Sequence, residues 1–348
     1  METKKNISLR VATLCFFLCV SVPLGLTACG KPPLYQQQAY VFGTLVEVSV
    51  YGAPEAQARQ ATQAVLTRFD QLHRKLHAWQ ASDLSRLNAA FAQGKKVAID
   101  PELAAMLTDA TAISVQSGHL FNPAIGKLIA LWGFQSDVPQ SRIPPAADIA
   151  RLVKARPRMT AIHIANSHIG NGMAWSDNRW AQLDLGGYAK GYALDEAVRI
   201  LKRHGIHHAL VNIGGNIIAL GQHGNRPWRV GIQHPRRPGT LATLDLNDGE
   251  AIGTSGDYQR YFESNGKRYC HLIDPRTGYP ASGMQSVTVL VSGLNAGTRS
   301  DAVSKPLFIG GRDSLRENAA RMGVAHYLAV DATGRKIVSA ALASRLRY

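Results

Sequence analysis

The chain has 348 residues, 45% of them apolar and 18% charged, a balance that excludes a disordered polypeptide and leaves one large domain or two closely packed lobes. Its formal net charge is +15, yet the basic residues are dispersed, with no Cys/His finger, no aromatic–basic stripe and no basic helix long enough for a groove, so nucleic acid is not an expected partner. A diffuse positive field suits a phosphate-rich small ligand or an anionic membrane surface.

In chain order, residues 1–28 read as a signal peptide: Lys4, Lys5 and Arg10 precede an apolar run over 11–26, and Thr27 and Ala28 precede Cys29. The run is short for a bilayer span and holds Pro23 and Gly25, which argues against a permanent transmembrane helix. Its closing LTAC resembles the lipobox of bacterial lipoproteins, whose cysteine thiol receives diacylglycerol and becomes the new N-terminus. That resemblance makes Cys29 the expected lipidation site and gives the chain a membrane anchor. Cys15 and Cys19 leave with the signal peptide, so Cys270 has no intrachain partner and no disulfide is expected to hold the fold. Residues 29–38 are polar and proline-bearing and read as a tether; 39–348 form the body.

Within the body, alternation over 41–50 predicts a strand, and Pro54 and Glu55 open a helix whose Val65, Phe69, Leu72 and Leu76 share one face. A second helix after Pro101 places Leu103, Met106, Ala110 and Ile113 together and ends at Gly118. A brief helix is expected over 148–153, strands over 159–164 and 172–183, and a helix over 190–202 closed by His204 and Gly205. Residues 209–220 are apolar around Gly214 and Gly215, 228–233 read as a strand, 240–290 as strand-rich, 301–309 as helix and 325–338 as a hairpin. Strands and helices alternate too irregularly for a doubly wound sheet, so the expected class is α+β.

Four segments concentrate glycine with ionisable or hydroxyl residues. In the first, Asp184 ends a strand, Gly186 and Gly187 allow a ligand close to the backbone, and Lys190 opens a helix whose amides can hold phosphate oxygens; a plain strand-to-helix turn accounts for it equally well. In the second, Gly214 and Gly215 interrupt an apolar strand, which suits a bulge as well as a ligand. The third joins Thr254, Ser255 and Gly256, which can donate to phosphate or flavin atoms, to His271, a base, phosphate ligand or structural donor, and Asp274. In the fourth, Asp301 and Lys305 are helix neighbours, readable as an ion pair or as a carboxylate for Mg²⁺.

Taken together and in order, VFGTLVEV, FNPAIGKLIALWGF, LDLGGYAKGYALD, NIGGNI, TSGDYQRYF, HLIDPRTGYP and DAVSKPLF resemble the bacterial FAD:protein FMN transferases, the ApbE family, over nearly all of the body. The resemblance implies a T-fold-like α+β arrangement of two packed lobes with a flavin cleft between them. It implies FAD as substrate, Mg²⁺ as cofactor, and transfer of FMN to a Thr or Ser hydroxyl with release of AMP. The implied partner is a flavoprotein of a membrane redox complex, met on the periplasmic side of the inner membrane. Water in place of that hydroxyl would make the chain an FAD pyrophosphatase, and loss of catalysis would leave a flavin-binding lipoprotein.

Carried onto this chain, the resemblance implies cofactor contacts by Phe42, Phe121, Asn122, Asp184, Lys190, Thr254, Ser255, Gly256, His271 and Ile273. It implies catalytic parts for His271, Asp301 and Lys190, and places the metal among Gly187, Asp301, Ser304 and Lys305. Two positions depart from the family pattern. Asn122 stands where an acid is usual. Lys305 stands where a metal-holding threonine is usual, and a protonated lysine cannot ligate a metal; it can neutralise the pyrophosphate instead, with Ser304 as the substitute oxygen ligand.

Overall fold

The computed structural model describes residues 33–136, 141–165 and 172–348; the signal segment and Cys29 lie outside the described residues. Strand β1 (Leu34–Val41) and β2 (Thr44–Tyr51) form an antiparallel hairpin around Phe42 and Gly43, both at positive φ, 57° and 68°. A two-residue loop with two left-handed residues matches the twist of its strands. The strand expected over 41–50 is thus a turn plus a strand, and the expected tether becomes strand from Leu34 onward. The cause is cross-strand pairing: Gln36 donates to Ser49 at 3.0 Å and Gln38 to Glu47 at 2.7 Å.

Helix α1 (Glu55–Lys75) buries Val65, Phe69 and Leu72 as expected. Helix α2 (Asp83–Ala92) opens on a Ser82/Ser85 capping box. After β3 (Val97–Ile99), Asp100 caps α3 (Pro101–Gln116), with proline at its first position. Then follow α4 (Gly126–Leu131), α5 (Ala146–Lys154), β4 (Ile162–Ala165) and β5 (Gly172–Ser176). The strand expected over 172–183 stops at Ser176. There Ser176 Oγ accepts the Asn178 amide at 3.1 Å and Asn178 Oδ1 accepts the Trp180 amide at 2.9 Å, local bonds that replace a sheet ladder. The strand expected over 159–164 begins instead with a 3₁₀ turn at Met159–Ala161.

Helix α6 (Ala189–Arg203) leads into β6 (Ala209–Ile213), β7 (Asn216–Leu220), β8 (Trp228–Gln233), β9 (Thr240–Leu246) and β10 (Ala251–Gly256). The hairpin β11 (Tyr261–Ser264) and β12 (Lys267–Cys270) precedes β13 (Met284–Val291), α7 (Ala296–Gly310) and α8 (Leu315–Arg321). The chain ends with β14 (His326–Asp331), β15 (Lys336–Val338), α9 (Ala340–Ala343) and β16 (Leu346–Arg347).

Eight strands form the main sheet in the order β1-β2-β6-β7-β10-β13-β14-β15, every pair antiparallel. Helices α1, α6 and α7 cover one face. The small sheet β16-β9-β8 covers the other, where Ile217, Ala219, Ile252 and Leu290 meet Trp228, Val230 and Leu244. Burial on both faces explains why 209–220 is apolar without alternation: all five β7 residues are buried. A third apolar cluster joins α4 and α5 to the β11–β12 hairpin through Trp132, Phe134 and Phe262. Cys270 is a buried free thiol, pushed up to about 12 mainly by desolvation.

Candidate active site

The site begins with a helix crossing that sequence spacing does not reveal. A Cβ on Gly191 would stand 2.3 Å from the Gly297 carbonyl oxygen, and one on Gly297 would stand 2.6 Å from that of Gly191. The two glycines let α6 and α7 approach at backbone contact. That approach brings the Gly191 amide to Asp301 Oδ2 at 3.0 Å, one residue after Lys190. Asp195 of α6 caps α7, accepting the Gly297 amide at 2.9 Å, the Thr298 amide at 2.8 Å and the Thr298 hydroxyl at 2.6 Å. The cap residue Asn295 is left-handed and makes no side-chain cap bond of its own, so the donors at this end are satisfied by the neighbouring helix.

Asp301 is fully buried. Lys305, one turn on, pairs with its Oδ1 and donates to its carbonyl oxygen at 2.7 Å. Burial pushes the Asp301 carboxyl up, but Lys305 and Lys190 outweigh it and hold the group below the usual carboxylate range. Burial lowers the Lys190 ammonium, and Asp301 partly restores it.

His271 sits beside these cations. Its Nδ1 lies 3.2 Å from the Arg260 carbonyl oxygen, which only accepts, so Nδ1 carries the proton and Nε2 presents a lone pair. Desolvation first, then Arg260, Lys190 and Lys305, push the imidazole down to about 3, so it is neutral at physiological pH. Arg260 is itself held by the carbonyls of Phe134 and Ser136, at 2.6 and 2.8 Å.

These groups face a cavity of about 800 Å³, within the range of cofactor pockets. Its walls come from the hairpin turn, the C-terminal end of α1, residues 120–134, the start of α6, β10 and the 259–273 segment. One wall is aromatic: the Phe42 ring lies 6.0 Å from Phe69 and 5.9 Å from His73, and His73 lies 5.2 Å from His77. Phe42 holds a positive φ of 57°, unusual for a bulky side chain.

The loop around Asp184 is tied from three directions. Asn88 exchanges both amide groups with the Leu183 backbone, at 2.9 and 2.6 Å, and the Asp184 amide donates to the Pro123 carbonyl at 2.8 Å. Asp184 Oδ1 accepts the Gly186 amide at 2.9 Å, closing the turn, and Oδ2 accepts from Gln135 at 3.1 Å.

The ApbE family sequence model matches residues 42–328. The chain belongs to the ApbE family. It is 41% identical over 314 residues to an FAD:protein FMN transferase of Rhodobacter capsulatus, covering 90% of this chain but 58% of that protein. A Klebsiella pneumoniae (strain 342) protein of the same name is 32% identical over 293 residues, covering 83% and 82%. The fold is similar to a crystal structure of the ApbE protein from Thermotoga maritima, with TM-score 0.81, 29% identity and coverage of 91% and 100%. The apo form of the Pseudomonas stutzeri flavinyl transferase ApbE gives 0.78, 26%, 91% and 98%. The α+β class with ApbE-type packing of two lobes is therefore the architecture of this chain.

Within this ApbE-family site, the structure gathers Phe42, Phe121, Asn122, Asp184, Gly187 and Lys190 on the cavity wall. Thr254, Ser255, His271, Ile273 and Lys305 join them. Three expected residues stand elsewhere. Gly256 faces away, under the Tyr258 ring, where a Cβ would meet Cε1 at 2.4 Å. Asp301 lies behind the wall. Ser304 is fully buried, with its hydroxyl donating to the Asp301 carbonyl oxygen at 2.8 Å and bonded to Ser255 Oγ at 2.8 Å. Asn122 reaches the wall but braces it: Nδ2 donates to the Pro157 carbonyl at 2.8 Å and Oδ1 accepts the Ala124 amide at 3.1 Å. A carboxylate has no donor for Pro157, which accounts for the amide at this position.

The side chains of the expected metal set, Asp301, Ser304 and Lys305, do not fit a metal. Lys305 brings an ammonium rather than a lone pair, and it occupies the Asp301 carboxylate. Ser304 is turned away, and among the described residues no three His, Cys, Asp or Glu side chains gather as a metal site. Arg260 and the His73–His77 pair are wall residues that the sequence reading did not single out. Arg260 lies inside TSGDYQRYF, and the two histidines bracket the C-terminal end of α1, His73 within the helix and His77 just beyond it, a signal hidden because a helix end so often carries basic residues.

Proposed function

We propose that this chain transfers the FMN half of FAD to a threonine or serine hydroxyl of a target flavoprotein, forming a phosphoester bond and releasing AMP. The observation that carries the reading is the gathering of Lys190, Lys305, Arg260 and a neutral His271 on the wall of one large cavity. Membership of the ApbE family, and the name its relatives bear, support it.

Phosphoryl transfer asks for positioning and charge stabilisation rather than covalent chemistry from the protein. Lys190 and Lys305 neutralise the pyrophosphate; Asp301 binds the Lys305 ammonium, and its charge supports that of Lys190. His271 Nε2 accepts or orients the proton of the incoming hydroxyl. Phe42, Phe121 and Ile273 supply apolar surface for the rings. Asp184 and the Gly187 backbone shape the turn that passes under the cofactor, and Thr254 and Ser255 line its β10 side. No step is routed through the implied Mg²⁺, because the donors present do not suit it.

Cys29 completes the reading as a lipid anchor on the periplasmic side of the inner membrane, where a flavoprotein subunit of a membrane redox complex would be the acceptor. The LTAC sequence supports this. The test incubates the full chain with FAD and a candidate acceptor domain and reads the acceptor's intact mass. An increase of one FMN phosphoryl unit, lost when the acceptor hydroxyl is removed, is expected. An unchanged mass across acceptors that do carry flavin on such a hydroxyl in their native hosts would refute transfer.

A further inference from the structure

We propose that the Lys305 ammonium is a tethered cation standing in place of a divalent metal, so that this site receives and cleaves a pyrophosphate ester without one. The inference rests on the transferase reading above and deepens it.

The position of the ammonium carries the argument. Nζ is bonded to Asp301 Oδ1 and, at 2.7 Å, to the Asp301 carbonyl oxygen, so both outward acceptors at this point of α7 already face a cation. Asp301 Oδ2 is taken by the Gly191 amide at 3.0 Å, and the Ser304 hydroxyl is turned to Ser255 at 2.8 Å. Every oxygen of the expected side-chain donors is thus already engaged within the protein, with a cation rather than a vacancy at Oδ1.

The stem has a prepared path. A Cβ on Gly187 would stand 3.0 Å from Lys305 Cε and 3.7 Å from the Phe121 ring, so the glycine leaves the groove through which the lysine runs. Lys190 and Arg260 stand close by on the same wall. A divalent ion there would meet one carboxylate and three cationic side chains, whereas a pyrophosphate dianion meets complementary charge. Two of the three ammonium protons are engaged by Asp301, and the third is free for a phosphate oxygen in the cavity.

The chemistry balances without further reactants. The acceptor hydroxyl oxygen bonds to the FMN phosphorus while the bond from that phosphorus to the bridging oxygen breaks. The bond pair leaves with AMP, where Lys305 and Lys190 meet the new charge. The hydroxyl proton passes to His271 Nε2 and on to solvent.

Mn²⁺ is the probe. The full chain, stripped with a chelator and returned to chelator-free buffer, is titrated with MnCl2 while free ion is read by electron paramagnetic resonance. Wild type is expected to match Asp301→Asn, with no ion taken up at this site. Lys305→Thr is expected to bind one ion at least about tenfold more tightly. In a second arm, wild type with FAD and an acceptor domain releases AMP in the presence of EDTA, whereas Lys305→Thr requires added Mg²⁺. A wild-type ion that disappears in Asp301→Asn overturns the inference, as does wild-type turnover that appears only with Mg²⁺; either result leaves the transferase reading intact. Absence of AMP release under every condition removes that reading, and the Mn²⁺ titration still decides the role of Lys305. If Lys305→Thr fails to fold by circular dichroism, the wild-type titration and the chelator arm decide alone.

Discussion

His271 is neutral because its surroundings are dry and cationic, and this has a consequence for stability. Its folded pKa, about 3, lies below the ordinary 6.5. The unfolded chain therefore binds the proton first, and the stabilisation is fully present above 6.5 and is lost as pH falls toward 3. By about pH 5 this amounts to up to about 2 kcal/mol. His271→Gln should lose less stability than wild type between about pH 7 and pH 5, by roughly that amount; equal losses in denaturant titrations would show that the imidazole is not held neutral. Asp301→Asn removes the carboxylate that binds Lys305 and whose charge supports that of Lys190. It should cost about 3 kcal/mol and abolish AMP release, and normal turnover in that variant would show that the two ammonium groups need no buried partner.

At the scale of elements, the site is the meeting of α6, α7 and β10, and the link most open to test is the cap that α6 gives to α7. Asp195→Ala removes three hydrogen bonds from the first turn of α7, which should cost about 2–3 kcal/mol. It should also weaken FAD binding, because Asp301 and Lys305 ride on that helix. Lost stability in urea titrations with unchanged FAD affinity would separate the cap from the site. The elements also show what sequence reveals. Helix α1 was legible because its apolar residues repeat at helical spacing, and β14 and β15 because a turn separates two apolar runs. The hairpin of β1 with β2 was hidden, since a glutamine-rich strand with cross-strand polar partners has the composition of a tether. Strand β5 was overrun because the Ser176 and Asn178 side-chain bonds that end it depend on geometry rather than on pattern.

For the whole molecule, a helix layer and a small sheet close over the two faces of the main sheet, and the cavity lies where the helix-covered side meets residues 120–134 and the β11–β12 side. Most wall residues could be named from ordered motifs, because each motif falls where a loop or helix start reaches the cavity. The part that could not be named is tertiary. Gly256 under Tyr258, Ser304 turned to Ser255 and Lys305 seated on Asp301 are set by how elements cross, which no local window records. In the proposed reaction one flavin nucleotide leaves FAD only as it joins a protein hydroxyl. The most direct measurement is AMP released and acceptor mass gained in the same reaction, run with and without acceptor. The account predicts one AMP per flavin attached and little AMP without acceptor; AMP released at the same rate in both would contradict it and make the chain an FAD hydrolase.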